Sequence, residues 1–197
     1  MTVAPAPPQA PTKLLTYADY MAEGEINRRY DIIDGERIFM PQPTDGHQEL
    51  ALNIAELLRA YQRKTKAGRA MIAPCDVLIT RDPFRTRQPD VLFVSNERYR
   101  GRTPQDASPW SPAPELVAEI LSPSERRGIR LSKIADYCAV DVKECWLVSP
   151  QAQTVEVLRL TPGGPERAAL HGAGETLQSL TFEDLTLALD DIFHIED

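Results

Sequence analysis

Pro89-Asp90-Val91 and Glu119-Ile120-Leu121 each set one carboxylate inside an apolar, strand-forming run, QPDVLFV and ELVAEILS. A half-buried carboxylate costs several kcal/mol unless something pairs with it, and two on adjacent strands repel each other. A divalent cation resolves that conflict. Mg²⁺ takes hard oxygen ligands, keeps several waters and bridges to a substrate phosphate, so the pair points to metal-assisted hydrolysis with Asp90 and Glu119 as ligands. Such a site also wants a cation beside the attacking water, usually a lysine. The position two after Glu119, on the same strand face, is Leu121, so the lysine must come from elsewhere. Lys133 is the candidate. It lies in the helix predicted to follow the strand, where Ile129, Lys133 and Tyr137 line one face at i, i+4 and i+8.

Other chemistry-bearing residues are less telling. His47 precedes the longest predicted helix and reads as a cap or hydrogen-bonded structural residue more readily than as a base. Asp76, between Cys75 and Val77, either lines the site or anchors the Arg-rich loop beyond it. Tyr137 and Trp146 read as core, and His171 and His194 as incidental. No Gly-rich nucleotide loop and no nucleophilic Ser or Cys triad is present. Three cysteines without CxxC spacing indicate neither a disulfide framework nor a zinc ribbon, which fits a reducing cytoplasm.

A net charge of −7 argues at first against a nucleic-acid partner, because phosphate binding depends on Lys and Arg. The distribution of charge points the other way. Seven acidic residues and no basic ones follow position 174, leaving 22 acidic against 22 basic in residues 1–174. The basic residues cluster at Arg59, Arg63, Lys64, Lys66 and Arg69, at Arg98, Arg100 and Arg102, and at Arg126, Arg127, Arg130 and Lys133. Each cluster alone is ordinary solvated surface, but three around one acidic site suggest phosphate contacts, with Arg126 and Arg130 as the candidates.

The elements that position these residues follow from pattern. At 197 residues and 42% hydrophobic, the chain supports one domain with a real core, read as 13–197, behind a Pro-rich and disordered 1–12. Thr16 caps a short helix. Asp34-Gly35 between Tyr30–Ile33 and Glu36–Met40 is a strong hairpin signal. Residues 46–66 repeat Leu50, Ile54, Leu57, Leu58 and Tyr61 at helical spacing. Residues 71–79, 90–94 and 116–121 read as three strands of a central sheet, with Arg81–Gln88 and Asn96–Ala113 as loops. Ser122-Pro123-Ser124 caps a helix over 125–139, and a strand returns at 144–149. A second hairpin turns at Pro162-Gly163-Gly164-Pro165, before short C-terminal strands. No apolar run reaches the ~18 residues of a membrane span and no signal core opens the chain, so a soluble, unexported protein is expected.

Taken in order, P-D-V, then E-I-L-S-P-S about thirty residues on, then K-x-x-x-Y and ECWLVSP, resemble the Uma-type family of bacterial putative restriction endonucleases, within the PD-(D/E)XK nuclease superfamily. The similarity extends back through YDIIDGE, the P-x-P-x-x-x-H segment ending at His47 and the Cys75-Asp76-Val77 strand, covering roughly residues 13–195. It implies a restriction-endonuclease-like α/β fold, a mixed sheet flanked by helices with N-terminal and C-terminal hairpins. It implies Mg²⁺ (or Mn²⁺) held by Asp90 and Glu119, a lysine moved from the strand to helix position Lys133, and an auxiliary hairpin acid, which in this chain points to Glu36. The family pattern has an acid four positions before that lysine, where this chain has Ile129. The resemblance thus predicts a Mg²⁺-dependent endonuclease acting on DNA, or RNA, as a homodimer, since a duplex has two strands to cut. The Ile129 departure motivates the alternative, a catalytically impaired nuclease-fold module that binds nucleic acid or a protein. The acidic surface suggests a third reading, a small-substrate phosphoesterase.

Overall fold

The computed structural model describes residues 13–24, 26, 28–123 and 125–195; the Pro-rich 1–12 and the cap candidate Ser124 lie outside them. Thr16 caps α1 (Tyr17–Glu23), and Asp19 bonds back to the Thr16 backbone to complete a capping box. Asp34 and Gly35 both take positive φ, 52° and 84°, as a type I′ turn requires, and β1 (Tyr30–Ile33) and β2 (Glu36–Phe39) close the expected hairpin. Thr44 caps α2 (Asp45–Thr65), which buries Leu50, Ile54 and Leu58.

The stretch 71–79 is two strands rather than one. β3 (Gly68–Ile72) and β4 (Val77–Arg81) are separated by Pro74, which has no N–H for a ladder, and the chain crosses there from one sheet to another. The expected loop 81–88 holds β5 (Phe84–Arg87). After it come β6 (Val91–Ser95), the short α3 (Asn96–Tyr99), β7 (Leu116–Ile120), α4 (Arg127–Ala139), β8 (Glu144–Ser149), β9 (Thr154–Thr161) and β10 (Gly164–His171). The chain closes with β11 (Thr176–Gln178), β12 (Thr186–Ala188) and α5 (Leu189–Phe193). The helix α4 starts two residues later than expected. Arg126 is its N-cap without a side-chain cap bond, because a guanidinium has no acceptor to offer the first-turn N–H groups, and Glu125 turns its carboxylate to Arg130 and Lys133.

A six-stranded sheet, ordered β10-β9-β8-β7-β6-β3, is the frame, and a four-stranded sheet, β2-β1-β5-β4, stands beside it. In the six-stranded sheet only β7 and β8 pair in parallel, joined through α4. Alternation divides its core: Val91, Phe93, Ala118 and Ile120 pack with α2 and the C-terminal segment, whereas Leu92, Val94, Val117 and Leu147 pack with Ile134 and Tyr137 of α4. Burial on both faces is why these strands read as continuous apolar runs. The C-terminal segment is tied down by Glu144, a fully buried carboxylate that accepts from Trp146 Nε1 (2.6 Å), Ser179 Oγ (2.7 Å) and the N–H groups of Leu180 and Thr181. No helix among the described residues is long and apolar enough to cross a membrane.

Candidate active site

The register between β6 and β7 pairs Val91 with Ala118, so Asp90, one residue ahead of β6, falls opposite Glu119. Directly opposed residues of an antiparallel pair share a face. The two carboxylates thus come together where the sequence expects them, at 3% and 5% exposure. Asp90 Oδ2 accepts the Ile120 N–H at 2.7 Å, which bonds one carboxylate to the backbone beside the other.

Cations and hydrogen-bond partners from the protein itself meet the repulsion that the sequence pattern assigns to a metal. Arg29 Nη1 lies 2.6 Å and His47 Nε2 3.1 Å from Asp90 Oδ1. Lys133 Nζ donates to Glu119 Oε2 at 2.8 Å, and the Tyr137 hydroxyl donates to Oε1 at 2.5 Å. Burial pushes the Glu119 carboxyl above the usual carboxylate range, the Lys133 ammonium opposing and the Asp90 charge adding to it. Burial also acts on Asp90, but the His47 bond, the Arg29 guanidinium and the Ile120 N–H outweigh it and hold that carboxyl below the usual range. Burial would lower the Lys133 ammonium; Glu119, Asp31 and Glu125 reverse this and hold it above its ordinary value, so it is a fixed cation.

Glu125 carries part of what the sequence lacks at Ile129. Its Oε1 is 3.4 Å from Lys133 Nζ and its Oε2 accepts from Arg130 Nε at 3.3 Å, while Ile129, one turn before Lys133, is 49% exposed. The hairpin acid near this group is Asp31 on β1, whose charge acts on Lys133 and whose carboxylate is buried against Arg87 (2.7 Å) and the Gln88 N–H (3.1 Å). Glu36, the acid expected there, is exposed at the start of edge strand β2, opposite Ile33, and is not brought to the pair. Arg87 also donates to Asp136 (2.6 Å) and Ser132 (2.8 Å), and Arg85 to Asp136 (2.9 Å), clamping α4 on both sides of Lys133.

The other candidates sit at varying remove. Thr44 and not His47 is the cap of α2; His47 lies in the first turn, its N–H bonded to Thr44 Oγ1 and its ring bonded to Asp90. Asp76 accepts from Tyr20 OH at 2.7 Å and from Gln88 Nε2 at 3.4 Å, so it touches the group only through Gln88. Arg126 is exposed at the N-cap of α4, whereas Arg130 is half-buried against Glu125. Two of the three basic clusters are not at the site. Arg98 pairs with Glu115 and Asp141 and Arg102 stacks on Trp110, and the group at the C-terminal end of α2 is ~25 Å along that helix from His47. The sequence does not single out Arg29, Asp31, Gln88 or Glu125. Only the segment YDIIDGE hints at Asp31.

No group of three or more His, Cys, Asp or Glu among the described residues is arranged to hold a metal ion. The smaller requirement is met. Among the described residues Asp90 Oδ2, Glu119 Oε1 and Glu119 Oε2 each receive a single bond from the donors above and keep a second lone pair, and Mg²⁺ needs only one or two carboxylates besides its waters. Asp90 and Glu119 therefore fit a hydrated divalent cation.

A family model described as Uma2, putative restriction endonuclease, matches residues 17–190. Among solved structures, one described as a putative nuclease belonging to DUF820 from Anabaena variabilis superposes with a TM-score of 0.74 at 20% identity, covering 91% of this chain and 97% of that one. That likeness carries the fold. A comparison with curated proteins finds no match.

Proposed function

This chain belongs to the Uma2 family of putative restriction endonucleases, and from that membership and the paired carboxylates we propose that it is a Mg²⁺-dependent endonuclease hydrolysing phosphodiester bonds in DNA. The observation that carries the proposal is Asp90 opposite Glu119 with the Lys133 ammonium 2.8 Å from Glu119. Mg²⁺ bound there would polarise the scissile phosphate and lower the pKa of a bound water. Asp90 and Glu119 would hold it, Asp90 fixed in direction by the Ile120 N–H. Lys133, held protonated, orients the attacking water and offsets the charge that gathers on the phosphate in the transition state. Tyr137, whose hydroxyl burial pushes well above its ordinary pKa, remains an O–H donor and fixes the Glu119 rotamer. A two-fold dimer would present one such site to each strand of a duplex.

Relaxation of supercoiled plasmid with Mg²⁺ or Mn²⁺, abolished by EDTA and by Asp90→Ala, is the expected result. Single-stranded DNA, RNA and a generic phosphodiester run in parallel define the substrate. Turnover of the generic diester with none of any nucleic acid would replace this proposal with a small-substrate phosphoesterase. The reading as an impaired module rests on Ile129, and the Glu125 contact with Lys133 weighs against it.

A further inference from the structure

Two cations neutralise the carboxylate pair, and their settings differ. Lys133 is 8% exposed, touches both Glu119 and Glu125, and stands on a helix clamped at Ser132 and Asp136. It has no room to leave. Among the described residues the Arg29 side chain bonds only Asp90 Oδ1 and the Gln88 carbonyl (3.0 Å), and its Nε is buried without a partner there. A fifth of its side chain, 20%, faces solvent, and it stands in the segment before β1 rather than within a strand or helix. A guanidinium with an orphaned N–H, one strong bond and an open path is built to move.

Its one strong bond is to Oδ1 of a carboxylate assigned to the metal. A divalent ion on Asp90 and a guanidinium 2.6 Å from the same carboxylate repel strongly at such range. Resting on the assignment of Asp90 and Glu119 as metal ligands, we propose that Arg29 is a stand-in cation: it neutralises Asp90 in the metal-free protein and is displaced when a divalent metal binds. The two events are then reciprocally coupled, so Arg29 both secures the metal-free fold and weakens metal affinity.

Mn²⁺ titration by calorimetry, with thermal unfolding with and without Mn²⁺, tests this on the wild type, Arg29→Gln and Asp90→Ala. Arg29→Gln keeps a donor for Gln88 and removes the charge. It is expected to bind Mn²⁺ roughly ten- to a hundred-fold more tightly than the wild type, to unfold at a lower temperature without metal, and to gain more from Mn²⁺. Unchanged or weaker affinity in Arg29→Gln, with binding still lost in Asp90→Ala, overturns the displacement while leaving the metal site standing. Absence of binding in both wild type and Arg29→Gln overturns the proposal and the metal assignment together. If Arg29→Gln does not fold without metal, recovery of its fold by Mn²⁺ but not by equal ionic strength of NaCl supports the proposal, and failure to recover overturns it.

Discussion

Two carboxylates around one ammonium hold its proton firmly, so in the proposed reaction Lys133 would act by charge and position and not as a base. Lys133→Ala is expected to lower single-turnover cleavage ~10²–10³-fold without weakening Mn²⁺ binding, the scale of one lost preorganised electrostatic contact. Lys133→Arg restores little, since a planar fork does not replace a compact ammonium in a buried slot. Wild-type rates from Lys133→Ala would reduce the residue to a structural ion pair. Asp76 gives a different test. Burial raises its carboxyl above the usual range, the Tyr20 and Gln88 bonds opposing and the Asp31 charge adding. The folded protein therefore binds that proton more tightly than the unfolded chain, and ionised Asp76 subtracts from stability above its folded value. Asp76→Asn is expected to be up to ~1 kcal/mol more stable at neutral pH, with the advantage fading as pH falls towards the ordinary carboxylate value. Urea titrations at several pH values check the sign; a less stable Asp76→Asn at pH 7 would mean that the charge is needed as an anchor.

At the scale of elements, the position of Lys133 depends on β5. Arg87 sits at 3% exposure between Asp31 of β1 and Asp136 of α4, so removing it leaves the buried Asp31 without a cation beside it and Asp136 with Arg85 alone. Arg87→Met is expected to cost ~3–5 kcal/mol by urea denaturation, the range for breaking a buried ion pair from one side. A loss under ~1 kcal/mol would show that apolar contacts alone set the helix. This network also explains what the sequence concealed. Asp90 and Glu119 were legible because a carboxylate inside an apolar run is conspicuous, Lys133 from its helical spacing with Tyr137 just after the strand, and the Asp34-Gly35 hairpin and α2 because turn chemistry and helical periodicity are local. β5 reads as loop because its polar side chains find partners on α4, 45 to 51 residues away in sequence, rather than alternating with an apolar face. Arg29 is inconspicuous for the same reason, lying 61 residues from Asp90. Glu36 and Asp31 are both hairpin acids, and only the pairing of β1 on both sides, against the edge position of β2, separates them in favour of Asp31.

Over the whole molecule, the six-stranded sheet sets the acidic tail on the face away from α4. α4 covers one face, and the other carries α2 with α5, whose Asp190 and Asp191 belong to the acidic tail. A net charge of −7 is therefore compatible with a phosphate-binding surface on the α4 side. Of the basic residues there, Arg126 and Arg127 are exposed where the helix begins, while the Arg130 guanidinium is already held by Glu125. The pair suggested by sequence, Arg126 and Arg130, gives way on this ground to Arg126 and Arg127. DNA affinity measured with Ca²⁺ in place of Mg²⁺, at a series of NaCl concentrations, is expected to fall steeply with salt. Each lost phosphate contact removes ~0.9 from the log–log slope, so Arg126→Ala with Arg127→Ala flattens it by up to ~2 and Arg130→Ala by less. A slope indifferent to the double substitution but flattened by Arg63→Ala with Lys64→Ala would place the nucleic acid at the far end of α2, out of reach of the carboxylate pair.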